Sequence, residues 1–222
     1  MTNVLSRLDL GRMSADWTPA PALPSSGPLA AATRRMAEIV FCIAMLLLTL
    51  PVMLAAAIAI RLEDGGPILF RQLRVGRYGV NFHVLKFRTM RTDAEANGPV
   101  WATLDDPRIT RIGALLRKTR IDELPQLLNV LRGEMSVVGP RPERPHFVEL
   151  LAREIPFYHD RAAIKPGITG WAQVRFRYGS SVDDARCKLE YDLYYLRHRS
   201  LLLDLLILAL TVRVVLSLQG AR

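Results

Sequence analysis

The chain has 222 residues, half of them apolar, and carries a formal charge of +9; this is enough length for one ordinary domain with accessory segments. Its apolar residues collect into blocks, and a basic surface beside apolar blocks points to an anionic membrane surface, nucleic acid or polyanionic small molecules. Aromatic residues are only 7%, which speaks against a base-stacking nucleic-acid platform, and the two cysteines, Cys42 and Cys187, show neither disulfide nor zinc spacing, as in a reducing compartment.

Residues 1–33 are rich in Pro, Ala and Ser without lasting periodicity and are expected to form a flexible leader. The apolar run that follows begins too late for a secretory signal. From Ile39 to Ile60 the chain reads IVFCIAMLLLTLPVMLAAAIAI, 22 uncharged residues, long enough to cross a bilayer as a helix. Pro51 in its middle predicts a kink. Both flanks are basic, Arg34 and Arg35 before and Arg61, Arg71, Arg74 and Arg77 after, so the positive-inside rule cannot choose an orientation. A segment 34–61 that enters, bends at Pro51 and returns to the same face satisfies both flanks, with Thr49 bonding backbone groups that the bend frees. A kinked helix that crosses once is the alternative.

Residues 62–199 are expected to form the main body of the protein. Asp64-Gly65-Gly66-Pro67 is a turn, and Ile68–Phe70 and Phe82–Phe87 read as strands. In an extended VLKFRTM segment Lys86 and Arg88 share a face, an arrangement that suits a phosphate. Residues Arg91–Pro107 read as a surface loop. Thr110–Lys118 has the pattern of a short helix capped by Thr110. A second helix is expected from Asp122 through Leu131, since Pro125 is tolerated only in a first turn, and Gly133 ends it. That puts Asp122 and Glu123 at the positive end of a helix dipole, where carboxylates stay ionised. After a short strand over Glu134–Gly139, Arg141 is held stiffly between Pro140 and Pro142 with Arg144 nearby, so its fork loses little entropy on gripping a phosphate. His146–Ile155 is expected to be helical, and Lys165–Val174 to be a glycine-punctuated loop entering a strand. Val182–Arg197 is a charged helix carrying Asp192. Leu201–Leu218, within a terminal segment 200–222, carries Asp204 and Arg213, and an interfacial helix fits it better than a bilayer span. The histidines, His83, His146, His159 and His198, form no ligand pattern.

An ionised carboxylate can attack phosphorus, and crowding carboxylates against phosphates calls for neutralisation by Mg²⁺ and by Lys or Arg. Adjacent acids at a helix start also serve as plain cap residues, and the pair alone does not decide. Taken together, KFRTM (Lys86–Met90), DELPQLLNVLRGEMSVVGPRPE (Asp122–Glu143) and KPGITGWAQV (Lys165–Val174) closely resemble the bacterial sugar transferase family, the monotopic polyprenyl-phosphate phosphoglycosyl transferases, in their small form. The resemblance runs from about Arg34 to Thr211.

The resemblance implies an α/β, mostly helical monotopic membrane protein with a re-entrant kinked helix, short strands and interfacial amphipathic helices, on the cytoplasmic face of the bacterial inner membrane. It implies transfer of a sugar-1-phosphate from a UDP-sugar to polyprenyl phosphate (undecaprenyl phosphate), releasing UMP and starting exopolysaccharide or other glycan assembly. Asp122 matches the nucleophile that carries a covalent phosphosugar, and Glu123 matches the glutamate associated with Mg²⁺. Lys86, Arg88 and Arg141 match residues that handle phosphates or nucleotide, Arg144 stands close by, and Asp192 matches less closely. Membrane lipids are implied partners, nucleic acid is not, and a homodimer is left open. Many members have Ser before the proline of the re-entrant helix; here it is Leu50, and Thr49 offers a hydroxyl one position earlier. No residue visibly reads which sugar is carried. The rivals are a membrane-anchored basic binding protein and a metal-dependent phosphatase acting on lipid phosphates.

Overall fold

A computed structural model describes residues 27–217 apart from 95, 97, 99–105 and 177–180. Helix α1 runs over Pro28–Asp64, 37 residues or about 55 Å, so its first turns lie inside the segment expected to be a leader; residues 1–26 are outside the described range. Pro28 occupies the first turn, where its missing N–H costs nothing, and Gly65 closes the other end at φ 70°. The helix is continuous through Pro51. Thr49 bonds the Met45 carbonyl (2.7 Å), not the Leu47 carbonyl that Pro51 leaves without its helical N–H. Val40, Ile43, Leu47, Leu48, Leu54 and Ile58 are exposed along its middle, and it is the one described helix long and apolar enough to cross a membrane.

Both ends of α1 are fastened to the same body. At the first, Arg34 meets Asp204 and the Tyr195 hydroxyl, while Arg35 donates to the carbonyls of Val130 (2.7 Å) and Leu131 (2.8 Å). At the other, Asp64 takes the Arg88 guanidinium in a fork, and Glu63 accepts from the Ile112 N–H (3.2 Å).

Strands β1 (Leu69–Val75) and β2 (Asn81–Phe87) form an antiparallel hairpin in register from Leu69 opposite Phe87 to Val75 opposite Asn81. Helix α2 (Arg111–Thr119) starts as expected, with the Thr110 hydroxyl accepting from the Gly113 N–H (3.0 Å). The acid pair departs from expectation. Ile121–Glu123 is a single 3-10 turn, and α3 (Gln126–Arg132) begins only after Pro125, closing at Gly133 with φ 82°. Strand β3 (Ser136–Val138) pairs in parallel with β4 (Gly167–Thr169), Ser136 opposite Gly167 and Val138 opposite Thr169. Between them lies α4 (Pro145–Glu154). In place of the expected loop leading into a strand, β4 is followed by the short helix α5 (Trp171–Arg175): Gly170 is still extended, and the helix starts at Trp171, whose ring is buried in the core.

Helix α6 (Val182–His198) opens on a reciprocal cap between Ser181 and Asp184, and α7 (Leu201–Leu216) follows it. Leu189, Leu193, Tyr195 and Leu196 from α6 meet Met135, Trp171 and Ile207 in the main core, which Cys42 of α1 joins. Helix α7 is therefore built into the body: Ile207 is fully buried and Asp204 pairs with Arg34, while Leu201, Leu202, Leu205 and Val212 remain exposed.

Candidate active site

The site begins with β2, whose side chains alternate until Leu85 and then present Lys86 toward the 3-10 turn. Asn129, fully buried on α3, fixes that strand. Its side-chain oxygen accepts from the Leu85 N–H (2.9 Å), and its side-chain nitrogen donates to the His83 carbonyl (2.8 Å) and to Glu134 (2.7 Å). The Pro-Arg-Pro segment leaves β3 at Gly139, whose N–H reaches the Thr169 carbonyl (2.9 Å), and the Gly167 N–H returns to the Pro140 carbonyl (2.9 Å). The backbones approach so closely that a Cβ on Gly139 would lie 2.5 Å from the Lys165 carbonyl oxygen.

These elements bring three of the expected residues together. Arg141 donates to both oxygens of Glu123 (2.6 and 3.3 Å), and Lys86 donates to Oε1 (3.3 Å), the oxygen that takes the shorter Arg141 bond. Burial alone would raise the Glu123 carboxyl, but Arg141 and Lys86 together hold it well below the usual carboxylate range. Burial pulls Lys86 down, with Glu123 opposing.

Asp122 differs in its partners and in the direction of its pKa shift. It is buried, one carboxyl oxygen has no hydrogen-bond partner among the described residues, and burial and then the neighbouring Glu123 raise its pKa. At a helix N-terminus both acids are expected to be ionised. Asp122 lies in a 3-10 turn ahead of the α-helix, and desolvation outweighs what a helix end offers.

The other expected residues divide. Arg88 borders the same cavity, but its guanidinium is occupied by Asp64 and the Pro67 carbonyl (2.7 Å), tying the end of α1 to the hairpin. Arg144 lines the cavity near the Phe147 ring. Asp192 lines it too and accepts from Arg161 (2.7 Å); burial pushes its carboxyl up to about 6 despite that pair. Arg161, which sequence reasoning missed, also donates to the Arg141 carbonyl (3.0 Å) and the Tyr158 hydroxyl (2.7 Å), so it joins Asp192 to the Pro-Arg-Pro segment. Arg117, Arg120 and Lys188 are further cationic wall residues that no motif announced.

The cavity encloses about 1680 Å³. Its polar end holds Lys86, Asp122, Glu123 and Arg141, and its apolar walls come from α1 (Phe41, Met45, Val52) and α7 (Leu208, Val212, Val215). A charged floor under apolar walls admits a molecule with an anionic head and a hydrocarbon tail. No group of three His, Cys, Asp or Glu side chains among the described residues is disposed to hold a metal. Mg²⁺ needs no such cage, since one or two carboxylates suffice where substrate phosphates complete the shell. Glu123 beside the unpartnered Asp122 oxygen is a hard-oxygen set that fits it.

The family model for bacterial sugar transferases matches residues 29–218. The chain belongs to the bacterial sugar transferase family. It is 47% identical over 200 residues to the UDP-N-acetylgalactosamine-undecaprenyl-phosphate N-acetylgalactosaminephosphotransferase of Aeromonas hydrophila, covering 90% of this chain and 47% of that protein. It is 43% identical to the exopolysaccharide production protein PSS of Rhizobium leguminosarum bv. phaseoli, over 81% of this chain and 92% of that one. It is 41% identical to the UDP-glucose:undecaprenyl-phosphate glucose-1-phosphate transferase of Escherichia coli (strain K12), over 81% of this chain and 39% of that one. The chain thus spans less than half of two of these relatives and nearly all of the third.

Proposed function

We propose that this sugar transferase moves a sugar-1-phosphate from a UDP-sugar to undecaprenyl phosphate by double displacement at Asp122. The observation that carries the reading is a buried carboxyl with a free oxygen, next to a Lys–Glu–Arg cluster, at the floor of a cavity walled by apolar helices. The diphosphate of the donor draws Lys86 and Arg141 from Glu123 onto its own oxygens, where they balance charge on the transferring phosphoryl group. The Asp122 carboxylate attacks the β-phosphorus, the bond to the bridging oxygen breaks, and UMP leaves, so that an acyl phosphate carries the sugar. A phosphate oxygen of the polyprenyl acceptor then attacks the same phosphorus, and Asp122 departs as carboxylate. When bound by Glu123 and phosphate oxygens, Mg²⁺ supplies the positive charge that lets carboxylate and diphosphate approach. The apolar walls keep water from competing with the lipid acceptor.

The same proposal seats the protein in one leaflet, a reading that α1 supports. Both of its ends hold the same body, while the side chains between them are apolar and exposed. A helix that crossed the bilayer would carry those ends to opposite faces. A dip into one leaflet, with the body and its basic surface on the cytoplasmic face, satisfies both ends. Exposed leucines of α7 lie in the same interface.

The deciding assay offers UDP-sugars and undecaprenyl phosphate with Mg²⁺ to the full chain. UMP release that leaves a sugar phosphate on the protein is expected. Inorganic phosphate release from an unlabelled protein would instead mark a hydrolase. For topology, a cysteine placed near Arg34 or Arg61 should react only from the cytoplasmic side; periplasmic labelling at either flank would rule out re-entry.

A further inference from the structure

The polar side chains at the two ends of α1 do more than anchor it. Arg35 donates to carbonyls of the last turn of α3, where a cation also meets the negative end of the helix dipole. Glu38, within 3.5 Å of Arg35, accepts from the Ser136 hydroxyl at the start of β3. At the far end, Glu63 takes the Ile112 N–H, a first-turn donor that α2 cannot satisfy internally, and Asp64 holds Arg88 in a fork.

Each anchored segment leads directly to the site. Helix α3 follows Asp122-Glu123 after two residues, α2 precedes them, β3 runs into Arg141, and Arg88 stands two residues beyond Lys86. None of Arg35, Glu38, Glu63 and Asp64 lines the cavity, so none can touch a substrate there.

We propose that α1 is the clamp that sets the spacing of Lys86, Glu123 and Arg141, with Arg35, Glu38, Glu63 and Asp64 as its positioning residues. The site is then complete only while α1 is seated against α3 at one end and α2 at the other. Because the middle of α1 is apolar and exposed, that seat is stable only with lipid around it, and reactivity is tied to membrane residence. The rate measurement below rests on the phosphoglycosyl reading; the exchange measurement does not.

The test uses the full chain in lipid nanodiscs, comparing wild type with Arg35→Ala, Arg35→Lys and Asp64→Asn. Single-turnover UMP release from the UDP-sugar panel, without lipid acceptor, is measured beside hydrogen exchange over residues 121–132. Arg35→Ala should lower the maximal rate by about tenfold or more, with half-saturation moved less than about twofold, and Arg35→Lys should recover part of the loss. Exchange should rise through Ile121–Glu123, not only at the last turn of α3. Folded Arg35→Ala and Asp64→Asn proteins with the wild-type rate and exchange changes confined to residues 130–132 would overturn the clamp. Should Arg35→Ala not fold, Asp64→Asn at the opposite end decides by the same two measurements. A wild type that releases no UMP defeats the phosphoglycosyl reading, and exchange alone then decides the clamp.

Discussion

Two carboxylate–arginine pairs share the walls of one cavity and behave in opposite ways. Glu123 faces Arg141 and Lys86 together and is held well below the ordinary range, whereas Asp192 faces Arg161 and is pushed up to about 6. Both are withdrawn from water, so burial does not separate them. Arg141 spends its fork on Glu123 and is joined by a second cation. Arg161 divides its donors among Asp192, the Tyr158 hydroxyl and the Arg141 carbonyl. A buried carboxylate stays ionised when the cations around it are dedicated to it, and drifts toward its neutral form when they are shared.

The largest effect is expected from Asp122→Asn, which leaves the Glu123 cluster intact. Turnover should fall by about a thousandfold or more, with no sugar phosphate on the protein by intact mass; substantial activity in the purified variant would remove Asp122 as nucleophile.

Next comes Glu123→Gln, which breaks the better-paired side of the comparison. Activity should fall by about a hundredfold. Loss of the neighbouring negative charge lowers the raised Asp122 pKa. If the Asp122 carboxylate is the nucleophile, as proposed, the acid limb of the residual pH–rate profile should move to lower pH. A limb that stays in place would mean that another group sets it.

A smaller change probes the shared pair. The Asp192 carboxyl is higher in the folded chain, about 6, than in the unfolded one. Its contribution to stability is therefore present at about pH 4 and is lost as pH rises through 6. Asp192→Asn should flatten that part of the stability–pH curve in thermal melts; an unchanged slope would show that Asp192 titrates normally.

The smallest effect concerns the metal. If Glu123 and Asp122 hold Mg²⁺ only together with substrate phosphates, as proposed, Mg²⁺ alone should shift the melting temperature little, by about a degree, and Mg²⁺ with a UDP-sugar by several degrees. A full shift with metal alone would point to a preformed site.

Local rules made much of the chain legible. The Thr110 cap, the Gly133 stop, the hairpin and the stiff Pro-Arg-Pro segment all follow from residue type and short spacing. The motifs also brought Lys86, Glu123 and Arg141 into one expected site. What they could not give is which cation each acid receives. Arg88 shares a sequence motif with Lys86 yet turns to Asp64, 24 residues earlier, and Arg161 reaches Asp192 across 31 residues. Such pairs are settled by packing between distant elements and leave no periodic trace. The 3-10 turn at Asp122 was hidden for a related reason: Pro125 fits the first turn of a helix or the residue before it, and only the buried neighbours choose.

Asn129 carries one further consequence. The N–H of Leu85 and the carbonyl of His83 lie on the edge of β2 that faces away from β1, and the single amide of Asn129 satisfies both. It acts as a third strand one residue long. A strand displaced by one position turns every side chain to the opposite face, which here would send Lys86 away from Glu123. Only a group that donates and accepts at once can read that phase: aspartate lacks the donor and leucine lacks both. One carboxamide thus covers two groups on an otherwise open sheet edge and keeps Lys86 on the side of Glu123.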